Sequence, residues 1–216
     1  MKKLVFVAAT VILVLVFVVG VMYDRSQKAE QAGMRAENNQ SALVRPHSRV
    51  LGPATAKVQI VEFLDPACET CRRFYPLVKQ LLAAHPDQIN LVVRYAPFHD
   101  NSTFVVALLE AAGRQGKYWE TLEALLNGQE GYVANHAVQP DLVWKYIEGI
   151  GLDITKLRAD MLDPAISKLI TQDLDDARVL NVTKTPEFFV NGKPLPSFGF
   201  EQLQRLVDEA LSSSKR

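Results

Sequence analysis

The stretch Asp65-Pro66-Ala67-Cys68-Glu69-Thr70-Cys71 constrains this chain more than any other. It sets the only two cysteines in a C-x-x-C spacing where one kind of periodicity gives way to another. Before it, Lys57 to Leu64 is rich in β-branched and aromatic residues and reads as a buried strand. After it, Phe74, Leu77, Val78, Leu81 and Leu82 recur at helical spacing, so Arg72 to Ala84 reads as a helix. A cysteine at a helix N-terminus meets unpaired backbone N–H groups and the positive end of the helix dipole, which favour a thiolate. Cys68 is therefore the candidate nucleophile. Cys71, one turn later on the same face, can resolve a mixed disulfide.

Two other uses of the pair fit less well. A zinc site normally takes four ligands, but no second C-x-x-C exists and His47, His85, His99 and His136 show no paired spacing. A purely structural disulfide would close too short a loop to restrict the unfolded chain much.

Leu4 to Tyr23 is apolar, with Met1-Lys2-Lys3 before it and Asp24-Arg25 after it. A helix needs about 20 apolar residues to span a hydrocarbon core, whereas the apolar part of a cleavable signal runs to about 7–15. Val21-Met22-Tyr23 is a poor cleavage site, and no cysteine follows to carry a lipid. Residues 1–23 are thus expected to form an uncleaved signal anchor, with Lys2 and Lys3 holding the N-terminus in the cytoplasm. A cleaved signal is the alternative; the rest of the chain is exported in either case. Thiols outside the cytoplasm tend to pair, so partners must hold a lone C-x-x-C in its working redox state. The 24 basic and 24 acidic residues leave no net charge and no basic stripe, so nucleic acid is not an expected partner. Residues 24–47 are polar and of mixed charge, a linker that composition allows to be a helical stalk or a flexible tether. Residues 48–216 suffice for one globular domain.

Within that domain Glu62 interrupts the first strand, six residues before Cys68. A carboxylate there needs a partner, a purpose, or an edge position or bulge that reaches water. Pro76 should kink the first helix. Ile89 to Tyr95 reads as the next strand, stopped by Pro97. Asp100-Asn101-Ser102 offers caps for a helix that Gly113 ends, and Lys117 to Asn127 reads as a second helix. Pro140 opens a third containing Trp144 and Tyr146, Asp153 caps a fourth, and Asp163-Pro164 opens a fifth with Ile166, Leu169, Ile170, Leu174 and Ala177 on one face. Glu187 to Val190 is again a strand, and Asn191-Gly192 supplies a hairpin turn. Pro194 and Pro196 mark the return strand as an edge. Leu203, Leu206, Val207, Ala210 and Leu211 lie on a last amphipathic helix. The order is β-α-β, a helical insertion at about 98–181, then β-β-α.

A C-x-x-C pair beside a βαβ pattern reads as a thioredoxin-like redox motif, and the whole order resembles the DsbA-like family of thioredoxin-fold thiol-disulfide oxidoreductases. The resemblance covers roughly Ser48 to Leu211. It rests on Val61 to Cys71, on Tyr95-Ala96-Pro97-Phe98-His99 with Gly116-Lys117-Tyr118-Trp119, and on Val182-Thr183-Lys184-Thr185-Pro186 running on to Gly192. It implies an α/β thioredoxin fold, with the helical insert between its β-α-β and β-β-α halves and a transmembrane helix in front. It implies that Pro186 follows a cis bond and lies against the cysteines, although spacing alone would equally allow a trans proline opening a strand. Thr185 and Pro186, with Glu69 and Thr70, would meet the substrate, and Glu62 would relay a proton to or from Cys71. The activity implied is disulfide formation or exchange in exported proteins, with no metal or organic cofactor. The site would face the periplasm or extracytoplasmic side of a bacterial inner membrane from a single-pass anchor at residues 4–23, and an integral-membrane redox partner would reset it. A reductase, and an anchored chaperone or assembly factor without redox turnover, are the alternatives. Glu69-Thr70 replaces the Pro-His pair of the strongly oxidising members, and a carboxylate beside Cys68 should make its thiolate less stable and its disulfide less oxidising.

Overall fold

The computed structural model describes residues 2–213, with side chains from Thr10 onward. Met1 and residues 214–216, together with the side chains of Lys2 and Lys3 on which the orientation of the anchor rests, lie outside the described residues.

The domain is built on a five-stranded sheet of β1 (Arg49–Leu51), β2 (Val58–Leu64), β3 (Ile89–Tyr95), β6 (Glu187–Val190) and β7 (Lys193–Pro194), in the order β1-β3-β2-β6-β7. β2 runs parallel to β3, from Val58 opposite Ile89 to Leu64 opposite Tyr95, and antiparallel to β6. A parallel pair with both faces covered needs near-continuous apolar runs; every residue of β3 is buried, and in β2 only Gln59 is not. β1 was not foreseen. It is three residues long and acquires strand geometry by antiparallel pairing with β3. Asn191 and Gly192 both take positive φ, 47° and 80°, as a tight hairpin turn of the primed type requires. The Asn191 side chain accepts from Gln59 N–H at 2.8 Å and so ties the hairpin to β2. Pro194 lies on the edge strand, where a missing donor costs nothing in the ladder.

One face of the sheet packs on α3 (Glu69–Ala84), α9 (Phe200–Ser213) and the helical insertion. The insertion comprises α4 (Ser102–Arg114), α5 (Tyr118–Gly128), a two-strand ribbon of β4 (Val133–Ala134) and β5 (Ala137–Val138), α6 (Pro140–Val143), α7 (Ile154–Met161) and α8 (Pro164–Leu180). Asp153 and Asp163 cap α7 and α8, accepting from Lys156 N–H at 2.9 Å and Ala165 N–H at 2.8 Å. Two expectations fail. The Asp100-Asn101-Ser102 run makes no side-chain cap on α4, since Asn101 sits at the N-cap position with φ 60° and the Ser102 hydroxyl bonds to Asp65 instead. The third helix is broken, with α6 tightening at Trp144 into a 3-10 turn that ends at Ile147.

The other face is covered by the C-terminal half of α8 together with the segment preceding the domain. α1 (Lys2–Asn38) is continuous through the polar stretch that follows the apolar run, and a short α2 (Gln40–Leu43) follows it. Ala36, Ala42 and Leu43 pack with Val61, Phe63, Val92, Phe189 and the α8 residues Ala177 and Leu180. A cluster of charges underlies this contact. Arg94, fully buried on β3, reaches Asp173 and Asp176 of α8 at 2.6 Å each. Those carboxylates also take Arg45 (2.6 Å) and His47 (2.6 Å) from the segment after α2. The apolar face read along α8 gave no sign of this, because Asp173 and Asp176 acquire partners only through the tertiary fold. Farther out, Val11 to Val19 of α1 are exposed, and the helix from Thr10 to Asn38 is long and apolar enough to cross a membrane.

Candidate active site

α3 starts at Glu69, three residues before the position its apolar spacing suggests, which makes Cys68 its N-cap. The Cys68 carbonyl accepts the first helical bond, from Arg72 N–H at 3.1 Å, and Cys68 N–H donates to Asp65 O at 3.0 Å. Both cysteines are buried, Cys71 completely and Cys68 with 7% of its surface exposed. The Thr185–Pro186 bond is cis and Pro186 is buried. The loop before β6 brings the Thr185 carbonyl to 3.3 Å from Cys68 Sγ, across 117 residues of sequence.

The two sulfurs are held in opposite electrostatic conditions. The Cys68 thiolate accepts from the Cys71 thiol, the Thr185 side chain and the backbone N–H groups of Cys71 and Thr70. Together these outweigh desolvation and bring its pKa down to about 5. Cys71 is pushed well above the ordinary thiol value, chiefly by desolvation and then by its role as donor to Cys68 and by the charge of Glu62. The expectation that Glu69 governs Cys68 finds no support. The Glu69 carboxylate is 65% exposed, lies 3.5 Å from Arg73, and is not among the groups that move Cys68.

Glu62 has no route to water through an edge or a bulge. It sits in the middle strand between Val93 and Phe188, fully buried, and neither carboxylate oxygen has a hydrogen-bond partner among the described residues. Desolvation, and secondarily the charge of Cys68, raise its pKa to about 8. An ionised carboxylate without donors is costly to bury, so Glu62 stays protonated near neutral pH. It can give up that proton as conditions change.

Two clefts meet at Cys68. One, of about 480 Å³, runs past Phe98, His99, Asp100 and the Thr183–Thr185 loop. The other, of about 610 Å³, runs past Glu69, Thr70, Gln129 and Glu130. Glu69 and Thr70 therefore lie on one side of the nucleophile and Thr185 on the other; Glu62 and Cys71 lie in the interior. The sequence reading missed the scaffold of this loop. Gln129 Nε2 donates to the carbonyls of Pro66 (2.8 Å) and Cys68 (3.1 Å). Asp65, fully buried, gathers N–H groups of Ala67, Phe98 and His99, the Ser102 hydroxyl and the His99 ring. A carboxylate adjoining the C-x-x-C was the one available signal; apart from Ala67 N–H, its partners lie more than thirty residues away. Among the described residues, no group of three or more His, Cys, Asp or Glu is placed to hold a metal.

A family model described as Thioredoxin matches residues 45–209. Na(+)/H(+) antiporter NhaA 3 of Salinispora tropica is 31% identical over 170 residues, covering 77% of this chain and 25% of that protein. Na(+)/H(+) antiporter NhaA of Herminiimonas arsenicoxydans is 30% identical over 167 residues, with the same coverage of 77% and 25%. The chain thus spans about a quarter of the length of the curated relatives it matches. Among solved structures, a thioredoxin-like oxidoreductase from Silicibacter pomeroyi DSS-3 superposes with a TM-score of 0.69 at 33% identity, covering 81% of this chain and 98% of that one. The thiol-disulfide exchange protein α-DsbA2 from Wolbachia pipientis gives a TM-score of 0.71 at 20% identity, covering 85% and 98%. Oxidised BdbD from Bacillus subtilis gives 0.67 at 21%, covering 76% and 93%. The last two, at their low identity, show likeness of fold alone.

Proposed function

The chain belongs to the thioredoxin family and has a DsbA-like thioredoxin fold with an apolar helix before it, and from that premise we propose that it is a membrane-anchored, extracytoplasmic protein thiol-disulfide oxidoreductase. The observation that carries the proposal is the contrast between the two sulfurs. Cys68 is held as a thiolate beside an open cleft, whereas Cys71 is a protonated thiol shut in beneath it. A nucleophile and leaving group must face the substrate, and a resolving thiol must not.

In the oxidising direction a substrate thiolate attacks Cys68 Sγ of the Cys68–Cys71 disulfide. The S–S bond breaks, its electron pair goes to Cys71, and Glu62 supplies the proton that Cys71 takes. A second substrate thiolate attacks the substrate sulfur of the mixed disulfide and expels Cys68 as a thiolate. The substrate has lost two electrons, the protein has gained them, and an integral-membrane redox partner of disulfide or quinone type takes them away. Run backwards, the steps reduce or isomerise a substrate disulfide. Pro186, through its cis bond, sets the Thr185 carbonyl beside Cys68, Thr185 offers its backbone to an extended segment, and Glu69 and Thr70 border the second cleft. Substrates are exported proteins with unpaired or mispaired cysteines. The chain sits in a bacterial inner membrane through residues 4–23, with the domain on the periplasmic or extracytoplasmic side.

Reoxidation of reduced ribonuclease and reduction of insulin, run on the full chain in detergent and on Cys68→Ser, test this reading. Turnover that depends on Cys68 is expected. Equal activity of the two proteins would leave a binding or assembly role without redox turnover.

A further inference from the structure

Asp65 and His99 form a pair that the reaction above does not use. His99 Nδ1 lies 2.7 Å from Asp65 Oδ2, and the same oxygen accepts from the backbone N–H groups of Phe98 (2.7 Å) and His99 (2.9 Å). The other oxygen accepts from Ala67 N–H at 2.8 Å and from the Ser102 hydroxyl. With donors on both oxygens Asp65 acts as an acceptor, so the ring proton of neutral His99 sits on Nδ1 and leaves Nε2 with a free lone pair. The ring is 21% exposed. It borders both clefts that meet at Cys68, the one beside Thr185 and the one beside Glu69 and Thr70. His136 stacks on it at 5.8 Å and borders the same two clefts. A carboxylate that fixes the tautomer of an imidazole beside a nucleophilic sulfur is the arrangement expected of a proton-transfer group.

We propose that His99 Nε2 accepts the proton of an incoming substrate thiol as that thiol attacks Cys68, with Asp65 as the positioning residue that fixes its tautomer. The inference rests on the redox reading above. The step balances. Substrate R–SH gives its proton to His99 and its electron pair to a new R–S–Sγ bond at Cys68. The Cys68–Cys71 bond breaks, and Cys71 leaves with the electron pair of that broken bond and takes a proton from Glu62. The reverse step returns the proton from His99 to the departing substrate sulfur. The chain thus has one proton carrier on each side of the reacting bond, Glu62 for the buried sulfur and His99 for the substrate's. Other charged or titratable groups around the His99 ring are Asp65, Asp100 and His136, the Cys68 thiol, Lys184 in the first cleft, and Glu69 and Glu130 in the second.

The test uses the full chain in detergent, oxidised at Cys68–Cys71, mixed with a synthetic peptide carrying one cysteine. Mixed disulfide on Cys68 is read by acid quench and mass between pH 5.5 and 9.5. A free thiol ionises near about 8.5, so a base is needed below that pH and not above it. His99→Asn keeps an N–H near Asp65 and removes Nε2; His99→Gln serves if the first variant does not fold. The proposal expects a loss of about tenfold or more near pH 7.5, where an imidazole can accept a proton and the substrate thiol still holds one, and convergence with wild type at pH 9.5. It also expects an unchanged glutathione equilibrium. Superimposable profiles would overturn it, as would a loss that is equal at every pH, or one that follows a shifted glutathione equilibrium. If the wild type forms no mixed disulfide on Cys68, the redox reading falls and this inference with it. If it does and His99 makes no difference, only this inference falls.

Discussion

Cys68 Sγ and the carbonyl oxygen of Thr185 lie 3.3 Å apart although 117 residues separate them in sequence. The C-x-x-C turn supplies one wall of the site and the loop before β6 the other. β2, paired with β6, holds the two together in the middle of the sheet. The chemistry of Cys68 is therefore a property of the sheet as much as of the dipeptide between the cysteines.

The first prediction concerns the Cys68 thiolate. Alkylation of the reduced protein, or thiolate absorbance, should give a midpoint near pH 5 for Cys68, with Cys71 unreactive across the neutral range. The Cys71 thiol is the largest contributor to that low value. Cys71→Ala should therefore raise the midpoint more than Cys71→Ser, which keeps a donor. Equal midpoints in the two variants would assign the thiolate to the helix terminus alone.

The second concerns Glu62. Its pKa in the folded protein, about 8, lies above its ordinary value of 4.5, so the folded state holds a proton that the unfolded state releases. Stability from this group is therefore full below about pH 4.5 and declines as pH rises to about 8, by about 1.4 kcal/mol per pH unit at most. Glu62→Gln keeps a neutral side chain and should flatten that part of the curve in urea denaturation, while slowing exchange at Cys71. Parallel curves for the two proteins would show that Glu62 does not titrate in this window.

The third concerns redox poise. A Cys68 pKa of about 5 falls between the roughly 3.5 of DsbA and roughly 7 of thioredoxin. The potential should fall between roughly −120 and −270 mV. Glu69→His should move it upward by less than about 30 mV, equivalent to about 1.4 kcal/mol, because the carboxylate it removes is exposed and faces Arg73. A larger shift in a glutathione titration would return control to the dipeptide.

The fourth concerns the charges beneath the stalk. Arg94→Leu leaves Asp173 and Asp176 buried, with Arg45 and the His47 ring still beside them. Breaking a buried pair from one side costs about 3–5 kcal/mol, and chemical denaturation should show a loss of that order. A loss under about 1 kcal/mol would mean that Arg45 and His47 compensate fully.

The fifth concerns the N-terminal segment. Ala36, Ala42 and Leu43 belong to the domain's second core, whereas residues 10–33 are largely exposed. Deleting residues 1–33 should leave the melting temperature nearly unchanged, and deleting 1–47 should lower it by several degrees or more. N-terminal sequencing of the mature protein should begin at Met1 or Lys2; a start beyond Tyr23 would overturn the anchor.

Local pattern settled a good deal of this protein. The strand, the C-x-x-C turn and the helix after it were legible because each has its own short-range signature: β-branched residues, thiol spacing and an apolar stripe. The Asn191-Gly192 turn and the Asp153 and Asp163 caps were legible for the same reason, since a turn or a cap is made among neighbours in sequence. Other features had no local signature. β1 is a strand only because β3 lies beside it. Ser102 abandons its capping role because Asp65 offers a buried acceptor, and the broken helix at Trp144 likewise escaped the periodicity. Whether Glu62 reached water or lay sealed depended on β2 being the middle strand, which follows from the pairing order and not from the strand's own residues. The sequence by itself determined where the two thiols sit relative to a strand and a helix and where the chain would turn. The tertiary structure decided the protonation of each group, because desolvation and hydrogen bonding depend on neighbours that only the folded chain brings within reach.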